Sequence, residues 1–333
     1  MRDGIELWGA EYKERLDDIL ILQDKISKNI ATNMRLHLTG EEEKRLTRRD
    51  TNSPGANQLY LKGRYFWNKR TRDGLDKAIE YFEKAIKADR TYALAYSGLA
   101  DVYAVYAINT DTRPSETMPN AKEAASDALK RDEHLAEAYA TLALVASSYE
   151  MNWAESERLY KRAIELNPNY ATVHQWYAQF LTLMGRFGEA EAEYHRALEL
   201  DPLSPIINAH AGSQYYYAQQ YEATIQQYRK TLEMFPDFWL LRAFLGEAHT
   251  ANGDFEEALA ELQAARRLSG GHTEPLWLMG RTYALMGGQD EAQKVIAELK
   301  ALEKQRYVPP WGLAVVYASL GKKEQALDLL DKA

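Results

Sequence analysis

Residues 160–168 (YKRAIELNP), 194–202 (YHRALELDP) and 228–236 (YRKTLEMFP) are one pattern written three times at a step of 34 residues. Tyr160, Tyr194 and Tyr228 open the copies. Ala163, Ala197 and Thr231 fill the small central position, and Pro168, Pro202 and Pro236 close them. Apolar residues within each copy recur at three- and four-residue steps, which predicts a helix. The proline ends it, because it has no N–H to donate and its ring clashes with the preceding turn. A 34-residue period has room for two helices and two turns, the length of a helix–turn–helix solenoid unit. One such pair cannot bury its apolar face alone, so its neighbours must stack against it.

The register extends both ways from Gly246, taken as position 8 of a unit at 239–272. Gly212 and Ala178 precede it at the same position, and Gly280 and Ala314 follow. Small residues recur at positions 20 and 27, among them Ala190, Ala258, Ala265, Ala292 and Ala326, and they let paired helices approach closely. Gly253, Gly287 and Gly321 at position 15 supply a left-handed turn between the helices. The units are 56–92, 93–135, 136–170, 171–204, 205–238, 239–272, 273–306 and an incomplete 307–333. Three of them carry insertions: three residues in the turn at 68–76, nine in a connection at 108–119, and one near Trp153. No polar capping helix follows the last unit, so the natural chain is expected to continue or its C-terminus to fray.

Large residues at 4, 7, 11 and 24, small ones at 8, 20 and 27, and Pro at 32 resemble the tetratricopeptide repeat. The resemblance implies an all-α fold, a right-handed superhelical solenoid of about eight helix–turn–helix units with an N-terminal helical extension. That extension, residues 1–55, reads as an amphipathic helix over 11–38 and a short charged helix at about 41–49. Asn52-Ser53-Pro54-Gly55 is the break before the first unit.

Composition narrows the function. Hydrophobic residues make up 46% of the 333 and charged residues 27%, as in a folded globular chain. A net charge of −8 argues against sequence-independent nucleic-acid binding, which needs a basic face. The absence of cysteine excludes disulfides, thiolate chemistry and cysteine-based zinc sites. No apolar run is long enough for direct membrane insertion. The expected compartment is the cytoplasm, with the periplasmic side of a membrane-anchored parent as the alternative.

Nothing in the sequence does chemistry. Gly270-Gly271 and Gly287-Gly288 are not followed by Lys-Ser/Thr and fall at turn positions, so neither is a phosphate loop. His174, His210, His249 and His195 stand at four different repeat positions and show no metal spacing. The acidic runs at 41–43 and 189–193 read as solvated helix faces. The expectation is therefore no catalytic residue, no metal and no cofactor.

Function is placed in the groove instead. In the family that the repeats resemble, positions 2, 5, 9 and 12 of each first helix face the concave surface. Carried over by position, the groove holds Tyr60, Arg64 and Trp67, then Asp101, Leu144, Gln175 and Gln179. Ser213, Tyr216, Glu247, Trp277, Arg281 and Trp311 complete it. Aromatic residues stand at both ends and are candidate binding hot spots. Position 5 reads Tyr60, Ser97, Ala140, Gln175, Ala209, Ala243, Trp277 and Trp311, without the Lys and Asn with which chaperone-binding members of the family clamp a terminal carboxylate. The partner is expected to be a protein or peptide segment.

Residues 4–12 (GIELWGAEY), with 22–26 and 38–42, also resemble the segment that joins a TolB-like domain to repeats in bacterial signalling proteins, and residues 59–67 (LYLKGRYFW) with 78–85 (AIEYFEKA) look most like the repeat-bearing kinases among them. These proteins include serine/threonine protein kinases, adenylate cyclases and winged-helix regulators. The resemblance implies that residues 5–8 are a strand remnant of the TolB-like domain, and that the chain is a regulatory or docking region whose catalytic domain lies outside it. A structural oligomerisation arm is a further alternative.

Overall fold

A computed structural model describes residues 50–332. The strand remnant at 5–8, the helices expected over 11–38 and 41–49, and Ala333 lie outside the described residues. Among the described residues there are 16 helices and no strand. They form eight consecutive pairs: α1 (Pro54–Trp67) with α2 (Arg72–Ala88), α3 (Ala93–Thr110) with α4 (Pro114–Leu129), α5 (Ala136–Ser148) with α6 (Trp153–Leu166), and α7 (Ala171–Leu183) with α8 (Phe187–Leu200). The series continues with α9 (Pro205–Tyr217) and α10 (Tyr221–Met234), α11 (Trp239–Asn252) and α12 (Phe255–Leu268), α13 (Glu274–Leu285) and α14 (Gln289–Glu303), then α15 (Pro310–Ser319) and α16 (Lys323–Leu330).

Small residues set the distance within a pair. Ala78, Ala85, Ala163, Ala190, Ala197, Ala258 and Ala265 are fully buried. A Cβ added to Gly246 would lie 2.6 Å from Leu262 Cγ, so α11 and α12 touch through a glycine. Gly63 plays the same part against Phe82 in the first pair. Every first helix packs on the next first helix, α1 on α3 through to α13 on α15, while no contact of similar extent joins successive second helices. The first helices therefore form the inner wall of the stack and the second helices its outer layer.

The turn inside each pair shows the repeat most directly. Gly185, Gly253, Gly287 and Gly321 have φ between 72° and 91°. At the equivalent place the remaining pairs put Gln219 (φ 59°), Met151 (φ 53°), Asp111 (φ 51°) and Arg70 (φ 52°). Left-handed backbone is unfavourable for residues with a Cβ, least so for Asp.

Two insertions are not loops. The three residues expected in the turn at 68–76 instead lengthen α2 to 17 residues, begun by Thr71, whose side chain accepts from Gly74 N. The connection expected at 108–119 shrinks to 111–113, because α3 runs for 18 residues and α4 for 16. Pro114 fits at the first position of α4, where no N–H is needed. Pro119 lies inside α4, and the carbonyl that it leaves free belongs to exposed Ser115.

The lengthened third and fourth helices carry Asp111 across the stack to the seventh pair. Its carboxylate accepts from Thr273 N at 2.8 Å and Thr273 Oγ1 at 2.9 Å. His272 Nε2 and Arg306 Nη1 stand 3.4 and 3.5 Å away. One turn of the first pair does likewise: Trp239 Nε1 donates to the Arg70 carbonyl at 3.4 Å. Residues 162 and 169 positions apart are thereby joined, and the array closes on itself.

Candidate functional site

The groove residues fall into three groups on the inner wall. At the N-terminal end, Arg64 Nη1 donates to Asp101 Oδ2 at 2.8 Å, Thr141 Oγ1 to Asp101 Oδ1 at 2.6 Å, and the Tyr170 hydroxyl to Asp101 Oδ2 at 3.4 Å. Asp101 is buried, which pushes its carboxyl up, and Arg64 opposes that shift. Trp67 is 2% exposed, with the guanidinium groups of Arg64 and Arg70 4.1 and 3.7 Å from its ring centre. Tyr60 packs on Phe82 and Tyr92. Tyr60, Arg64, Trp67 and Asp101 are thus tied to one another and to the core.

The middle group lines a cavity of about 220 Å³ on α7, α9 and α11. Gln179, Ser213, Tyr216 and Glu247 all border it, beside Tyr217 and His210. The Tyr216 hydroxyl donates to Glu247 Oε1 at 3.2 Å, and Arg281 Nη1 stands 3.5 Å from the same oxygen, an ion pair without a hydrogen bond. Ser213 Oγ and the Tyr228 hydroxyl lie 2.9 Å apart. Burial pushes Glu247 up against the opposing pull of Arg281. Burial, helped by Arg70, pushes His210 down to about 3, so its ring is neutral at physiological pH. Gln175 is buried and does not border this cavity. Leu144 is half-buried and packs with Tyr103 against the core beside α4.

At the far end the two tryptophans meet. Their ring centroids are 4.7 Å apart at 68°, with Trp277 6% exposed and Trp311 42%. Trp277 also covers Gly312, where an added Cβ would stand 2.6 Å from the indole. Position-by-position transfer missed Arg70, Asp111, His210, Tyr217 and Glu274. Glu274 had a signal, since it occupies position 2 of its unit, one of the positions that face inward.

Tetratricopeptide repeat models match residues 75–92, 150–211 and 211–272. The helix pairs within these residues are tetratricopeptide repeats. No curated protein matches the sequence. Among solved structures, yeast Tom70 is 18% identical with a TM-score of 0.54, over 85% of this chain and 60% of the Tom70 chain. A tetratricopeptide repeat protein from Parabacteroides merdae ATCC 43184 is 14% identical with a TM-score of 0.53, over 81% of this chain and 99% of its own. At such identities the likeness is one of fold. Among the described residues no tetratricopeptide helix is long and apolar enough to cross a membrane, and no group of side chains could hold a metal ion.

Proposed function

We propose that this chain is a non-catalytic scaffold that takes a peptide or protein segment on the inner wall of its tetratricopeptide repeats. The observation that carries this reading is the tyrosine-bordered cavity. Three successive first helices contribute Gln179, Ser213, Tyr216 and Glu247 to it, so side chains of equivalent position converge from different repeats. Aromatic faces with a few fixed hydrogen-bonding groups suit an extended peptide. Peptides selected from a displayed random library against the wild-type chain should lose binding to Gln179→Arg and to Tyr217→Ala. Undiminished binding to both variants counts against this site.

The same reading makes the chain the docking part of a bacterial signalling protein, on the resemblance of residues 4–12 and 59–67 noted above. Determining the reading frame upstream of the first codon tests it: a kinase, cyclase or winged-helix domain in frame supports it, and an in-frame stop removes it.

A further inference from the structure

A second cavity, of about 280 Å³, lies where the α3–α4 turn meets the last repeats. Ile108, Met118, Trp277, Tyr307 and Trp311 form its apolar walls, and two carboxylates border it. Asp111 is already held by Thr273. Glu274 is not: its carboxylate makes no hydrogen bond or ion pair with any described residue. Burial, with Glu247 and then Asp111 adding negative potential, pushes it up to about 8. The cavity therefore combines aromatic faces with an acid that has no counter-ion among the described residues.

This chain repeatedly lays guanidinium groups on aromatic rings. Arg131 lies 3.6 Å from the centre of Tyr96, and Arg113 lies 4.8 Å from that of Tyr307 at the edge of the same cavity. No cation of the described residues lies over Trp311, the exposed member of the tryptophan pair. We propose that this cavity receives an arginine side chain of an extended peptide partner, stacked on Trp311 and paired with Glu274. A guanidinium fits better than an ammonium, because its plane stacks on indole while its edge donates two hydrogen bonds to one carboxylate. An acidic partner residue would meet Glu274 and Asp111 together. The inference rests on the peptide-binding reading and adds the chemistry of one partner residue.

The test is a titration of the whole chain, read by the tryptophan indole N–H signals in NMR, with the capped tripeptide Ala-Arg-Ala and its citrulline counterpart. Citrulline keeps the shape of arginine and removes the charge. The arginine peptide should shift the Trp311 signal saturably, with the citrulline peptide about tenfold weaker. Glu274→Gln should abolish the difference, and Trp311→Ala should weaken the arginine peptide about as much. Affinity should rise from pH 6.5 toward pH 9 as Glu274 loses its proton. The groups that face it, Glu247 on α11, Tyr217 on α9 and Asp111 on the α3–α4 turn, remain in both variants, as do His272 and Arg306 beside Asp111 and Arg113 over Tyr307. Equal binding of the two peptides, or an unchanged preference in Glu274→Gln, overturns the arginine site. A peptide selected on the tyrosine-bordered cavity separates the two readings: if it binds while the arginine peptide does not, only this inference falls.

Discussion

The two halves of the solenoid differ in how they use the same turn. From residue 171 onward the pairs keep a 34-residue step, and four of their five turns place glycine in the left-handed region. Between residues 56 and 170 the pairs are longer, and the equivalent places hold Arg70, Asp111 and Met151. Two of these residues make the contacts that close the array: Asp111 grips Thr273, and the Arg70 carbonyl receives Trp239. Departures from the repeat therefore gather where repeats distant in sequence meet. Asp111 reaches across the stack with a side chain that glycine does not have, whereas Arg70 does so with its backbone carbonyl, and Met151 and Gln219 hold the left-handed turn with exposed side chains.

The largest expected effect lies in the regular half. Gly246→Leu drives a side chain into Leu262 and the Ala258 carbonyl, 3.1 Å from an added Cβ, and should destabilise by about 3 kcal/mol. The urea midpoint reports it, and a neutral result would mean that the glycine contact does not set the spacing of α11 and α12. Next comes the closing contact. Asp111→Ala strips the buried Thr273 N–H of its acceptor and should cost about 1–3 kcal/mol. Solution scattering should show a larger radius of gyration, and an unchanged radius together with unchanged stability would mean that the ends are held by other contacts. The smallest effect sharpens the comparison most. Gln219 is exposed and has φ 59°. Gln219→Gly should stabilise by less than about 1 kcal/mol, since relief of the backbone outweighs the added freedom of the unfolded chain. Asp111→Gly, with the same backbone relief, should destabilise instead. Thermal melts of the pair decide it: if both glycines stabilise, Asp111 is an ordinary turn residue.

The repeat was legible because its determinants are local and periodic. A proline ends a helix, an alanine admits a neighbour, and both recur at a fixed step. The long third and fourth helices were not legible, because residues 108–119 contain Thr110, Asp111, Thr112, Pro114 and Pro119, a composition that reads as a connection. Pro114 proved to be a helix start, and Pro119 is tolerated because the carbonyl it abandons belongs to an exposed residue. The inner wall was legible by position for Gln179, Ser213, Tyr216 and Glu247, which border one cavity. Burial was not: position alone does not distinguish Trp277, pressed onto Gly312, from Trp311, left open. Arg70 and Asp111 escaped because what they touch lies some 160 residues away, yet each stands where the later turns use glycine.

Closure changes how such a molecule comes apart. An open array of repeats has free ends, and each end unravels at the cost of one interface. Here the turn of the second pair is fastened to the start of the seventh, so α3 and α13 cannot separate from their neighbours independently. Loop-closure entropy grows only with the logarithm of the enclosed length, so tying residues this far apart costs little more than tying near ones. Unfolding should therefore gather into one sharp transition spanning both halves, with hydrogen exchange in the first repeats as slow as in the middle ones.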